Sequence, residues 1–327
     1  MNRKYMTDYN DFASDYPLVN GPSQDSSPAL RALVESLKDR FGSALQAVIL
    51  YGSCLRTGDM HEGLVDLYAV VDNYRHAYDN LWLRMSNRLL PPNVYYLEAA
   101  TPKGQVRSKM AVLDLADFHR GTGPGWFESY LWGRFAQPVK LVYSAKPEVA
   151  NQIYADFMQA AETFLRQALP ALPPEGKVTQ LWEGALALSY GTELRTERQG
   201  RAGELSRQGA DFLQHITKRL APRLQDCLVL HASTKQPEIL HYHASISARR
   251  RWLAPWRWRL RLIQGKLLSV LRLLKALFTF DGGLDYIAWK LERHSGQKIE
   301  IPDKVRRYPL IYIWGLFWKL YRRGIFR

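Results

Sequence analysis

The stretch Val48–Val71, V-I-L-Y-G-S-C-L-R-T-G-D-M-H-E-G-L-V-D-L-Y-A-V-V, limits what this chain can fold into more than any other. Two apolar runs, Ala47–Tyr51 and Val65–Val71, have strand length and are separated by Gly-Ser and a turn-rich connection. Such an arrangement describes a phosphate site beside a metal site. Gly52 lets the backbone approach a phosphate closely, and the Ser53 hydroxyl with its neighbouring N–H groups can donate to it. Asp66, at the start of the second run, can hold the Mg²⁺ that accompanies a triphosphate, with Ser53 as a further oxygen ligand. Tyr68 stands two residues on, where a second acid would complete an Asp-x-Asp pair.

The surrounding pattern is that of a mixed α/β fold. Ser27 as N-cap, Pro28 in the first turn, Leu30, Leu33, Val34, Leu37 and Phe41 at helical spacing and Gly42 as stop predict a helix leading into the first strand. Asn73–Leu90 reads as one helix ended by Pro91-Pro92, followed by strands over Val94–Glu98 and Lys109–Leu115. Alternation in the latter puts Lys109, Ala111 and Leu113 on one face and Met110, Val112 and Asp114 on the other. Asp117 is the expected cap of a helix running through W-F-E-S-Y-L-W-G-R-F-A-Q-P-V, and Val139–Tyr143 reads as a last strand. From Pro147 the pattern turns helical, over Glu148–Leu169, Lys177–Arg198 and Gly203–Leu220. The expected organisation is an α/β domain over residues 1–146, a helical domain over 147–245 that closes the cleft, and a basic aromatic region over 246–327.

Charge follows this division. Of the 327 residues, the first 240 carry 26 Lys+Arg against 26 Asp+Glu, and the remainder 19 against 5, so the whole formal excess of +14 lies in the last quarter. A neutral body with a basic tail points to an anionic partner for the tail. Cys54 and Cys227 are too few for a disulfide framework or a thiolate metal site and read as packing residues in a reducing compartment. His231, His241 and His243 lack the spacing of a zinc set. The first twelve residues lack an apolar signal core, and Pro309–Tyr321, interrupted by Lys319, is too short to span a bilayer, which takes about 18 apolar residues or more.

Four segments in order, Y-G-S-C with V-D-L-Y-A-V-V-D, N-V-Y-Y-L with K-M-A-V-L-D-L-A-D-F, Y-L-W-G-R-F-A-Q-P-V, and L-S-Y-G-T-E-L-R, cover roughly residues 45–200. Together they resemble the mitochondrial-type phosphatidate cytidylyltransferases, the CDP-diacylglycerol synthases of the mitochondrial translocator assembly and maintenance protein family. That family is a branch of the nucleotidyltransferase superfamily, with a polymerase-beta-like mixed sheet and helices. The resemblance implies that the chain makes CDP-diacylglycerol and pyrophosphate from CTP and phosphatidic acid with Mg²⁺. It also implies roles: Gly52 and Ser53 on the CTP phosphates, Asp66 on the metal, Lys109 and Arg134 on the triphosphate, and Glu193 as a further acidic site residue; the S-Y-G-T-E-L-R run adds Tyr190 as a candidate contact to the nucleotide. The chain departs from the family at Glu193, where aspartate is expected, at Asp114, where a small hydroxyl residue is expected, and in a more basic C-terminal region. Read alone, Glu193 fits a solvated helix face. Glu193 and Arg195 are too close to face each other on a helix, so they serve different partners.

The single acid has a chemical reading. A hydroxyl acceptor must be deprotonated, which a second carboxylate and metal assist. A phosphate monoester has a second pKa of about 6 and is already an anionic nucleophile. Tyr68 therefore favours a phosphate acceptor. The rival readings are a nucleotidyltransferase acting on RNA or a protein hydroxyl, which needs Asp114 as the second acid, and an inactive scaffold of the same fold.

Arg249–Phe280 interleaves nine cations with Trp252, Trp256, Trp258 and many leucines. As a helix it is expected to lie on an anionic membrane surface through Arg249, Arg250, Arg251, Trp256, Trp258, Arg261 and Lys266, each cation contributing about 1 kcal/mol there. The chain's last segment, with Trp314 and Trp318 between Arg306-Arg307 and Arg322-Arg323, favours a peripheral membrane anchor over a nucleic-acid arm. The expected location is the cytoplasmic face of a bacterial inner membrane. Asp281 and Asp285 read as part of a turn between helices.

Overall fold

A computed structural model describes residues 27–61, 63–193, 201–232, 239–279 and 301–307, together with Tyr312, Gly315, Trp318 and Arg322. Arg195, Asp281, Asp285 and Trp314 lie outside these residues. The chain forms the expected mixed α/β sheet followed by helices. Helix α1 (Pro28–Phe41) begins where the Ser27 hydroxyl accepts from Leu30 N at 3.3 Å and stops at Gly42, whose φ of 53° most side chains disfavour. Strand β1 (Leu45–Tyr51), the short α2 (Ser53–Thr57) and β2 (Val65–Val71) follow.

The helix expected over 73–90 is two, α3 (Tyr74–Ala77) and α4 (Leu81–Leu89). Asn73 and Asn80 each cap a new start, accepting from Arg75 N at 2.9 Å and Trp82 N at 2.8 Å. Strands β3 (Asn93–Thr101) and β4 (Gly104–Asp114) form a longer hairpin than expected, turning at Pro102-Lys103. The cap of α5 (Leu115–Thr122) is Asp114, which accepts from Asp117 N at 2.7 Å; Asp117 instead accepts from the Tyr74 hydroxyl at 2.8 Å. Of the W-F-E-S-Y-L-W-G-R-F run only α6 (Trp132–Phe135) is helical, and β5 (Lys140–Ser144) ends the sheet.

Among the described residues the main sheet has the order β3-β4-β2-β1-β5, with β2 and β4 parallel and the other pairs antiparallel. Alternation sorts its side chains. Val48, Leu50, Leu67, Ala69, Met110 and Val112 pack with α1, whereas Ile49, Tyr68, Val70, Ala111 and Leu113 face the later helices. Those helices are α7 (Pro147–Ala168), α8 (Val178–Gly191), α9 (Arg201–Gln208) and α10 (Ala210–Leu224). The second half also contains a small sheet absent from the sequence reading, made of β6 (Glu175–Lys177), β7 (Leu228–Ala232) and β8 (Leu240–Ala244) in the order β6-β8-β7. One apolar core runs from the main sheet through α7, α8 and α10 to Trp258.

Trp258 belongs to α11 (Ala248–Thr279), and a short α12 (Asp303–Arg307) follows among the described residues. Helix α11 corrects part of the membrane reading. Trp258 is 6% exposed and Arg261 2% exposed, so neither is placed to meet lipid. Arg261 donates to Phe127 O at 2.8 Å and Gln167 Oε1 at 2.6 Å and lies 4.9 Å from the Trp258 ring. Desolvation, with Arg257 nearby, lowers its pKa to about 10. Arg251 likewise turns inward, to Leu172 O at 3.2 Å and Ala244 O at 3.3 Å. These three residues of the helix face inward, contrary to expectation, because protein carbonyls and aromatic faces satisfy Arg251 and Arg261 and Trp258 packs in the core. Trp252, Trp256, Ile263 and Leu267, all more than half exposed, form its outer stripe. Arg249, Arg250 and Lys266 are exposed as well. Among the described residues no helix is long and apolar enough to cross a membrane.

Candidate active site

Three adjacent strands bring one row of side chains to the same face at the end of the sheet. Tyr51 on β1 pairs with Asp66 on β2, and Asp66 pairs with Lys109 on β4. Chain order alone separates these residues by up to 58 positions, and the parallel β2–β4 pairing is what aligns them. Lys109 is exposed and Asp66 half-buried. Immediately after Tyr51, Gly52 turns with φ 86° and leans on Asp66: a Cβ there would lie 2.5 Å from Asp66 Oδ2. Only glycine fits both the dihedral and the approach. The turn presents the exposed Ser53 as the first residue of α2.

The second wall comes from two segments that the sequence reading quoted separately. A Cβ on Gly133 of α6 would collide with the Ser189 hydroxyl of α8, so the two elements touch closely. The Tyr190 hydroxyl donates to Gln137 Oε1 at 3.0 Å. Arg134 then reaches Glu193 at 3.2 Å, with side-chain exposures of 13% and 14%. Glu193 is therefore an enclosed ion-pair partner and not part of a solvated face. The Arg134 guanidinium also lies 5.1 Å from the Tyr51 ring and 4.7 Å from the Tyr130 ring.

Arg134 Nε is buried and makes no hydrogen bond among the described residues. Burial works against its charge, but the surrounding phenols and Glu193 outweigh it and hold the guanidinium protonated. A buried cation with an unused donor is suited to an anionic oxygen. Tyr51 contributes an aromatic floor, and burial with Asp66 beside it pushes its hydroxyl well above the phenol range. For Tyr130, burial acts upward, yet Arg134 and Arg272 outweigh it and hold the phenol below its usual range.

Tyr68 does not stand in for an acid. It is fully buried, 5.0 Å from the Tyr51 ring and 4.9 Å from the Phe135 ring, with its hydroxyl 3.3 Å from that of Tyr130. Asp114, the alternative second carboxylate, lies at the far end of β4 and is spent on capping α5. Among the described residues no group of three His, Cys, Asp or Glu could hold a metal ion. The donor set here is one carboxylate and one hydroxyl, which suits a hard cation that receives most of its ligands from phosphate and water. Tyr130 and its neighbours were not foreseen in the sequence: Arg272, which pairs with Glu128 and lies 4.4 Å from the Tyr130 ring, stands 144 positions from Glu128, and no spacing rule joins them.

No family model matches the sequence, and no curated protein matches it. Among solved structures, it is similar to a nucleotidyltransferase-like protein from Exiguobacterium sibiricum, with a TM-score of 0.25 and 8% identity, over 67% of this chain and 99% of that one.

Proposed function

We propose that the chain is a nucleotidyltransferase, a CTP:phosphatidate cytidylyltransferase that makes CDP-diacylglycerol and pyrophosphate. The observation that carries this reading is the close seating of Gly52 on Asp66 opposite a buried, partly unsatisfied Arg134. It combines a backbone cradle for phosphate, one carboxylate and a cation with a donor to spare.

In the proposed reaction an oxygen of the lipid phosphate attacks the α-phosphorus of CTP, a new P–O bond forms, and the bond to the β-phosphate oxygen breaks. Pyrophosphate leaves with that electron pair. No proton has to be removed from the nucleophile, because a phosphate monoester is already anionic at neutral pH. The work left to the protein is to bring two anions together and to stabilise charge on the leaving group. Arg134 and Lys109 supply positive charge from two sides, while the Gly52-Ser53 turn positions the phosphates and Glu193 fixes the direction of Arg134. When bound with the triphosphate, Mg²⁺ would be held by Asp66 and Ser53 and would supply further charge neutralisation. The aromatic packing of Tyr68 and the capping role of Asp114 both argue against a hydroxyl acceptor.

The acceptor's surface is proposed to be reached through the outer face of α11. Trp252 is 70% exposed, Trp256 55%, Ile263 63% and Leu267 58%, and exposed Arg249, Arg250 and Lys266 border that stripe. An apolar stripe with flanking cations is complementary to an anionic lipid interface; Trp318, 63% exposed, is of the same character. Incubation with CTP labelled at the α-phosphate and phosphatidate vesicles tests the reading. Label is expected in a lipid-extractable product with an equal amount of pyrophosphate, and stable label on the protein would overturn direct transfer.

A further inference from the structure

Helix α11 does more than present an outer face, because its inner face touches both arms that hold Arg134. On the first arm, Arg272 forms a bidentate pair with Glu128, at 2.5 Å and 2.7 Å, and donates through Nε to Pro91 O at 2.8 Å. The same guanidinium lies 4.4 Å from the Tyr130 ring, which is itself 4.7 Å from Arg134. On the second arm, Gly265 rests against Thr192, where an added Cβ would lie 2.5 Å from the carbonyl oxygen. Thr192 precedes Glu193, the ion-pair partner of Arg134. A 2.8 Å hydrogen bond between Ser129 and Thr192 ties the two arms together one residue before Tyr130 and one before Glu193.

We infer that Arg272 is a positioning residue for Arg134, acting through Tyr130, so that anion binding at Arg134 and the seating of α11 are thermodynamically linked. This inference rests on the proposed anion-binding role of Arg134 but not on the identity of the acceptor. The physical basis is that Arg272 is held on two sides, by the Glu128 carboxylate and the Pro91 carbonyl. Its bidentate pair is nearly buried, with side-chain exposures of 13% and 5%, so the Tyr130 ring is braced against a fixed cation. An anion that pulls Arg134 must move or tighten Tyr130 and, through it, α11. Linkage is reciprocal: whatever steadies α11 from outside raises anion affinity inside by the same factor.

The test uses the full chain with inorganic pyrophosphate and with Mg-CTP. Wild-type protein is expected to bind pyrophosphate by calorimetry, and Arg272→Gln to bind it roughly tenfold more weakly, the size of one desolvated cation–ring contact. Arg272→Lys is expected to recover only part of that loss, because it keeps the charge but not the fork. In turnover the Arg272→Gln defect should fall on the KM for CTP more than on kcat. A purely structural role would lower the active fraction and leave KM unchanged. Should Arg272→Gln fail to fold, the paired variant Arg272→Gln/Glu128→Gln removes both charges together and carries the same expectation. A further measurement needs no variant: in wild-type protein, pyrophosphate should slow amide hydrogen exchange over residues 265–275. If wild-type protein binds pyrophosphate while exchange in α11 is unchanged, the inference is overturned and the site reading survives. If wild-type protein binds neither pyrophosphate nor Mg-CTP, the site reading itself fails.

Discussion

Gly52 and Asp66 are in van der Waals opposition, so close that a methyl group on Gly52 would lie 2.5 Å from the Asp66 carboxylate. The backbone at Gly52 is also left-handed, with φ 86°. Gly52→Ala is therefore expected to displace Asp66 and lower kcat on the order of 100-fold, the usual penalty for about 1 Å of misplacement at a reacting centre. Its stability should fall by about 1–3 kcal/mol, the cost of holding a non-glycine residue in this sparsely populated backbone region. Turnover and urea unfolding measured side by side check both.

Arg134 and Glu193 form an enclosed pair whose cation keeps one donor unused. Replacing the cation's fork by a point charge, as in Arg134→Lys, should weaken Mg-CTP binding by about 1.5–3 kcal/mol, or more than tenfold, at little cost in stability. Arg134→Met removes the enclosed ion pair with Glu193, and unfolding should become easier than in Arg134→Lys. Calorimetric titration and denaturant melts separate these outcomes.

Tyr68 is a core residue. Tyr68→Phe removes only its 3.3 Å hydroxyl contact with Tyr130 and should cost about 1 kcal/mol with activity retained. Tyr68→Asp puts a carboxylate among the Tyr51 and Phe135 rings and should destabilise the fold by several kcal/mol without creating a second metal ligand. An active, stable Tyr68→Asp enzyme would contradict this placement.

What the sequence revealed and what it hid differ by physical cause. Alternation along β4 correctly separated Lys109, Ala111 and Leu113 from Met110 and Val112, because burial on two faces imposes a period of two. Capping at Ser27 and Gly42 was legible for the same local reason. The restart of a helix at Asn80 was visible as a residue type but not as a decision between one helix and two. For Arg261 and Trp258, composition showed a cationic, aromatic helix without showing which side faced the protein. That choice depends on carbonyls at Phe127 and Gln167, more than 90 positions away. Tyr130 and Arg272 were hidden for the same reason, since their contact exists only after α11 folds back.

Lys275 gives the fold a pH dependence. It donates to Leu90 O and, at 2.8 Å, to Pro92 O, and burial together with Arg272 lowers its pKa to about 7 from 10.5. Between those values the unfolded chain binds the extra proton, so stability from this group rises with pH from about 7 to 10.5 and is lost as pH falls through 7. Lys275→Met should flatten that rise. Melting midpoints of the two proteins, measured between pH 6.5 and 9.5 in constant ionic strength, should diverge steadily if the assignment is right.

Asp66 and the acceptor's charge together are tested most directly by offering the protein two lipids that differ only in phosphate. With CTP labelled at the α-phosphate, wild-type protein should label phosphatidate in vesicles and leave diacylglycerol unlabelled, and Asp66→Asn should abolish the transfer. Labelling of diacylglycerol, or undiminished transfer to phosphatidate by Asp66→Asn, would contradict the account.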